Sequence, residues 1–207
     1  MSNSDYTEEF VGNYQKYADL TEENNWLAIQ NLNGSNLDGF GVKKEIKVIS
    51  EYLEEGEVVF AMCSGIMSQT STSNMTDWGA NTWLVLLTSE RFLFLDAALL
   101  SSSVDTQSVR HRMVQAVSGS QGWILGKISI DLGSRLIVVD NCQKKDVKIM
   151  ADLANKWLRE IEKRESSSTA PQESPLDKLA KLQELRVAGA LNDEEFRELK
   201  EKILSEI

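Results

Sequence analysis

The chain is poor in the side chains from which catalytic and membrane-spanning devices are built: one histidine, two cysteines and no long apolar run in 207 residues. General acid–base or nucleophilic chemistry needs a tuned acid, base or nucleophile. Here His111 is the single imidazole. Cys63 and Cys142 lie far apart in the sequence, with no histidine near either, so no zinc-ligand spacing exists. They read as two buried thiols of a reducing compartment, without a disulfide. No stretch of about 18 apolar residues is present to span a bilayer. The N-terminal Met1–Glu9 segment lacks the basic and apolar blocks of a signal peptide. Gly119-Ser-Gln-Gly122 reads as a turn, because no Gly-Lys-Ser/Thr follows to make a phosphate loop. Asp77-Trp78-Gly79 reads as a turn carrying an anchoring tryptophan. The expectation is a cytoplasmic, non-enzymatic protein without metal or cofactor.

Positive charge is also scarce. The formal net charge is −10, shared unevenly. Residues 1–40 hold one lysine against seven acidic residues, residues 41–165 hold 15 basic and 16 acidic, and residues 166–207 hold six basic and nine acidic. A concentrated basic face dominates duplex affinity, and none is visible, so no nucleic-acid partner is expected. The same balance disfavours attraction to anionic lipid. Arg110-His111-Arg112 is the one short basic run on a weakly alternating segment; it offers at most a minor phosphate or carboxylate contact and otherwise reads as a solvated strand face.

What is present is concentrated at the C-terminal end. Pro175 suits a first helical turn. Leu176, Leu179, Leu182 and Leu185 then repeat at helical spacing and make one apolar stripe. Gly189 supplies the left-handed residue that stops the helix. Asn192 is an N-cap and Glu195 closes a capping box, with Leu191 and Phe196 placed as a hydrophobic staple. Phe196, Leu199 and Ile203 stripe the second helix. Two short helices with an apolar face and almost no interior are too small to be stable alone, so the face calls for burial against something else.

The run Leu179, Leu182, Leu185-Arg186, Gly189, Leu191-Asn192, Glu195-Phe196, Lys200 and Ile203-Leu204 resembles the SHOCT domain, a short C-terminal module attached to many bacterial and phage domains. Asn192 stands where that family usually has Thr or Ser, and it caps equally well. The resemblance implies oligomerisation or partner contact and no chemistry.

Upstream, Tyr6, Phe10, Tyr14 and Tyr17 form an aromatic helix face within residues 5–19. A second helix is expected over 21–31, with Thr21 as its cap and Asn24 where a capping box would place Glu or Gln. Residues 31–41, dense in Gly and Asn, read as a loop. Val42, Ile46, Ile49 and Leu53 stripe a third helix. The period then changes to two. Strands are expected at 58–63, 81–88, 91–96, 126–131 and 135–140, with 65–76 either a polar-faced strand or a long turn and 109–116 a weak strand. A helix over 146–164 carries Val147, Met150, Leu153, Trp157, Leu158 and Ile161. Residues 165–174 read as a flexible linker. Of the five tryptophans, Trp83 and Trp157 belong to strong core patterns, whereas Trp26, Trp78 and Trp123 lie beside loops and are open to either core packing or contact.

Gly56-Glu57-Val58-Val59, the Thr88-Ser-Glu-Arg91 hairpin, the Gly126 strand pair and the closing helix together resemble the bacterial pleckstrin-homology-like group, in particular its YokE-like branch, over residues 42–164. One departure is a long connection, Ala97–Gln107. The expected fold is therefore α+β: an acidic helical segment at 1–41, a PH-like antiparallel sheet with a closing helix at 42–164, a linker at 165–174 and a helical hairpin at 175–207. The expected function is protein contact, with self-association the leading case, through Leu176, Leu179, Leu182, Leu185, Leu191, Phe196, Leu199 and Ile203. A lipid- or phosphate-headgroup module at the inner membrane face is the alternative.

Overall fold

The structure, a computed structural model, describes residues 3–35, 37, 42–71, 75–97, 104–169, 175–190 and 192–204. Contacts divide it into two compact units, Met1–Glu160 and Ile161–Ile207. The first unit opens with helices α1 (Asn3–Glu22), α2 (Trp26–Leu32) and α3 (Lys43–Tyr52). Seven strands follow: β1 (Val59–Ser71), β2 (Met75–Thr88), β3 (Arg91–Ala97), β4 (Val104–Arg110), β5 (Ala116–Gln121), β6 (Gly126–Asp131) and β7 (Arg135–Cys142). Helix α4 (Lys144–Thr169) then crosses the boundary into the second unit, which holds α5 (Pro175–Val187) and α6 (Asp193–Leu204). The α+β class is as the sequence implied.

All strands pair antiparallel in the order β4-β3-β2-β1-β7-β6-β5, so β4 and β5 end the sheet. β1 is the hinge of this arrangement, pairing with β2 over most of its length and with β7 from Ile66 to Ser71. Gly65 stands at the crossing. A Cβ there would lie 2.4 Å from the Asp140 carbonyl oxygen and 2.6 Å from Cys142 Sγ, so only glycine fits.

The core lines the inner sheet face. Phe60, Trp83, Leu84, Leu86, Phe92, Phe94 and Ile128 are fully buried, which makes burial of these large side chains the main source of stability. One end is closed by an aromatic cluster. Phe60 lies 4.9 Å from Trp157 of α4 and 5.5 Å from Tyr17 of α1, centroid to centroid, and Tyr14 stacks on Trp157 at 5.8 Å. The Trp157 indole N–H donates to the Ser89 carbonyl at 2.9 Å. Thus Tyr14 and Tyr17 anchor the acidic α1 to the sheet; the Tyr6 and Phe10 side chains lie outside the described residues.

Several local expectations are corrected. Asn25, not Thr21, caps α2, through its side-chain oxygen on the Ala28 N–H. Thr21 instead stays in α1, its hydroxyl donating to Tyr17 O and accepting from Val59 N at 3.0 Å. β1 and β2 extend through Gly65–Ser71 and Met75–Gly79, so Asp77-Trp78-Gly79 is strand, not turn; the Trp78 side chain lies outside the described residues. Gly119–Gly122 is not a turn either, since β5 runs to Gln121. The segment 109–116 is no continuous strand: β4 ends at Arg110 and a 3-10 turn, His111–Met113, follows. β4 starts at Val104, well before Gln107, so the supposed long connection is shorter. Finally, α4 continues to Thr169, with the Ser166 hydroxyl donating back to Glu162 O, so helix covers the first part of the stretch whose composition reads as a linker.

Candidate functional site

The two sequence signatures of the sheet, Gly56-Glu57 and Thr88–Arg91, meet in one buried network. The Glu57 side chain has no exposed surface, and Arg91 grips it with two bonds, Nε to Oε1 at 3.0 Å and a terminal N–H to Oε2 at 2.9 Å. The Thr88 hydroxyl donates to Glu57 Oε1 at 2.6 Å and accepts the Arg91 N–H of its own turn at 3.0 Å. Glu54 N donates to Glu57 Oε2, and Arg91 also reaches Tyr52 O at 2.9 Å. Burial alone pushes the Glu57 carboxyl up, but Arg91, the Glu54 N–H and Thr88 outweigh it and hold it below the usual carboxylate range. This arrangement ties the end of α3, the start of β1 and the β2–β3 turn together, and every acceptor in it is used. It is a structural clamp.

Arg110, His111 and Arg112 go to different places. Arg110 binds Glu54 at 2.7 Å and lies 3.6 Å from Glu90. His111 is buried, its Nε2 2.8 Å from Thr88 O. Since a carbonyl only accepts, Nε2 carries the proton and Nδ1 is left without a partner. Burial lowers the His111 pKa and keeps the ring neutral. Arg112 is exposed. The three side chains are not drawn into a common anion pocket.

In the second unit the hairpin is built as its residues dictate. Asn192 Oδ1 accepts from Glu194 N and Glu195 N at 3.0 and 2.9 Å, and Glu195 returns a carboxylate oxygen to Asn192 N at 3.0 Å. Gly189 adopts φ +72°, and Ala190 N closes back on Leu185 O at 3.0 Å. Arg186 lies 4.7 Å above the Phe196 ring and bonds Asp193 at 2.8 Å. Of the expected contact residues, Leu182 is buried, Leu179, Phe196 and Ile203 are half-buried, and Leu185 and Leu199 keep 43% and 41% of their surface exposed. Leu204, which the pattern left out, is 49% exposed. Leu191 and the Leu176 side chain lie outside the described residues.

The family model of the bacterial PH domain matches residues 53–156, which carry the Glu57–Arg91 clamp, the whole sheet and the Trp157-bearing helix up to that residue's neighbour. The chain belongs to the bacterial PH domain family. The short C-terminal domain model, SHOCT, matches residues 177–204. No curated protein matches. Among solved structures, the chain is similar to the PH domain of USP37 (11% identity, 48% of this chain and 97% of that one, TM-score 0.37). It is also similar to the Vps36 N-terminal PH domain (14% identity, 53% and 84% covered, TM-score 0.41). A third is the C-terminal domain of an unknown protein from Leishmania infantum (13% identity, 54% and 93% covered, TM-score 0.33).

Two features of this bacterial PH domain go beyond the sequence reading. Cys63 and Cys142, distant in the chain, come together where β1 meets β7. Cys142 contacts raise the Cys63 thiol first, burial second, and the charge of Asp146 adds to both. Asp146 itself is 2% exposed with neither carboxylate oxygen hydrogen-bonded, and burial lifts its pKa to about 6 against a small opposing pull from Lys145. Among the described residues no group of three His, Cys, Asp or Glu side chains could hold a metal ion, and no helix is long and apolar enough to cross a membrane. The other feature is the β5–β6 hairpin tip, where Trp123 is 95% exposed. Trp83 and Trp157 are core at 2% and 4%, and Trp26 is half-buried.

Proposed function

We propose that the protein is a non-enzymatic assembly module, in which the bacterial PH domain and the SHOCT hairpin each make protein–protein contacts and the first partner is a second copy of the chain. PH and SHOCT domains are typically interaction modules. The observation that carries the reading is the apolar surface left uncovered on the hairpin: Leu185, Leu199 and Leu204 stay 43%, 41% and 49% exposed, on helices whose turn is closed by its own caps. Apolar side chains so exposed gain most by being covered across an interface. The sheet adds β4 and β5 as end strands, whose outer backbone groups can pair with another strand.

Light scattering of the full chain, of a chain ending at Thr169 and of a Leu199→Asp variant tests this. The full chain is expected to weigh more than one copy and both altered forms less. Leu199 serves better than Leu182, whose buried position would make an aspartate unfold the hairpin rather than merely uncover it. A full chain that is monomeric at all concentrations refutes self-assembly.

A further inference from the structure

Helix α4 ends in a run of hydroxyl side chains. Its last turn is Ser166-Ser-Ser-Thr169, and no basic residue stands in it. A cation there would meet the negative end of the helix dipole and the last open carbonyls; without one the turn lacks that support. Serine and threonine are middling helix formers, because their hydroxyls compete for the backbone. Ser166 does so here, its hydroxyl donating to Glu162 O at 2.6 Å. The turn therefore opens easily, and residues 162–166 are all exposed.

Two cations stand directly ahead of it. Lys163 and Arg164 are three and two positions before Ser166, and both are exposed. The other adjacent basic pairs, Lys43-Lys44 and Lys144-Lys145, have no serine or threonine in the five residues that follow. In a chain of net charge −10, a basic pair leading into exposed hydroxyls is therefore a distinct local signal. Enzymes that phosphorylate serine choose their substrates by such flanking charges. Their clefts must also reach the hydroxyl and its neighbours together, which a readily opened turn allows.

We propose that Ser166 is a phosphorylation site whose modification unwinds the last turn of α4 and lengthens the tether of the helical hairpin. The γ-phosphoryl group of a nucleoside triphosphate passes to Ser166 Oγ: a new O–P bond forms, the bond to the departing nucleoside diphosphate breaks, and the hydroxyl proton is released. The product carries about two negative charges at the negative end of a helix. Glu162 and Lys163, one turn back, carry opposite charges that offset each other, so the dipole decides the outcome. The hydroxyl donor to Glu162 O is lost as well. Five residues separate Thr169, the end of α4, from Pro175, the start of α5, and unwinding from Ser166 makes nine. The fully extended reach grows from roughly 18 Å to roughly 32 Å. Tether length sets how often a linked module meets its target, so the modification regulates the contact that the hairpin makes. The inference holds whether that contact is with a second copy or with another protein.

Peptide mapping by mass spectrometry of the full chain, purified from its native host, tests the site. The fragment beginning at Glu165 is expected to carry one phosphoryl group, on Ser166. A chain unmodified there, or modified only at other residues, overturns the proposal. Hydrogen exchange on the full chain tests the consequence, comparing phosphoserine at position 166 with the unmodified chain, Ser166→Glu and Ser166→Ala. Amides 166–169 of the phosphorylated chain are expected to exchange about tenfold faster than those of the unmodified chain. Those of Ser166→Glu should be about threefold faster and those of Ser166→Ala no faster. Strands β1 to β3 should exchange alike in all four. Equal rates at 166–169 with and without the phosphate would refute the unwinding, and so would faster exchange spread through the sheet, which would mark general unfolding.

Discussion

Replacing Asp146 with asparagine should stabilise the protein near neutral pH and remove a specific slope from its pH profile. Asp146 occupies the first turn of α4, where a carboxylate normally gains from the helix dipole. Here burial wins: the group is 2% exposed, both oxygens lack partners, and its pKa rises from 3.8 to about 6. A difference of about two pH units, at about 1.4 kcal/mol each, corresponds to about 3 kcal/mol. The sign follows from proton counting. Between pH 4 and 6 the folded chain holds a proton that the unfolded chain has released, so this group's contribution to stability falls as pH rises and is flat above about 6. Other groups also titrate in this range. His111, neutral when buried, costs stability as pH falls below the ordinary imidazole value. The difference between D146N and the parent isolates the carboxyl, because the amide's own desolvation adds a constant. Urea unfolding followed by tryptophan fluorescence from pH 4 to 8 is the assay; all five tryptophans lie within residues 1–160, so the signal reports that unit alone. The difference should grow by about 3 kcal/mol in favour of the D146N variant across the window. Parallel stability curves for the two proteins would show that the carboxyl is solvated or paired in solution and would refute the reasoning.

Two further outcomes follow from the same unit. Glu57→Gln leaves the Arg91 guanidinium, 12% exposed, with only the half-exposed Glu54 carboxylate at 3.3 Å as its countercharge, and should destabilise the fold by about 2–3 kcal/mol in chemical denaturation at pH 7; because the Glu57 pKa is held low, the loss relative to the parent should shrink as pH falls through the ordinary carboxylate value and below. Cys63 and Cys142 should resist maleimide in the native state despite lying together, since the contact with Cys142, burial and the Asp146 charge keep the Cys63 thiol protonated, and should both label in urea; rapid native labelling would place them at the surface.

The parts legible in the sequence were those whose cause is local. The hairpin could be read to the residue, because an N-cap, its reciprocating Glu195 and the Gly189 stop act within a few positions of one another. Strands with a clean alternation or a dense Val, Leu and Ile run, such as β3 and β7, were also plain. β1 beyond Cys63 was not: Ser64, Gly65, Ser68 and Gln69 interrupt its apolar signal, and its strand character comes from being paired on both sides, with β2 and, from Ile66, with β7 far along the chain. His111 was misplaced on a strand for a related reason, since its position is set by the distant Thr88 carbonyl. Tertiary partners likewise hid the site features. Glu57 and Arg91 could be seen as motifs but not as a pair, and nothing linear brings Cys142 or Asp146 to Cys63.

The completeness of the hairpin's caps bears on how it would meet a partner. Its turn, both helix ends and the Arg186–Phe196 contact are set by residues within one short stretch. Such short-range contacts form on the microsecond scale, long before a diffusing partner arrives. The caps bias the backbone toward the hairpin in advance, so association pays less for ordering it, and burial of the leucines supplies the stability that so small a unit lacks. A surface encoded in this way is portable: grafted behind an unrelated domain, it would carry its instructions with it and ask of its new host only a tether.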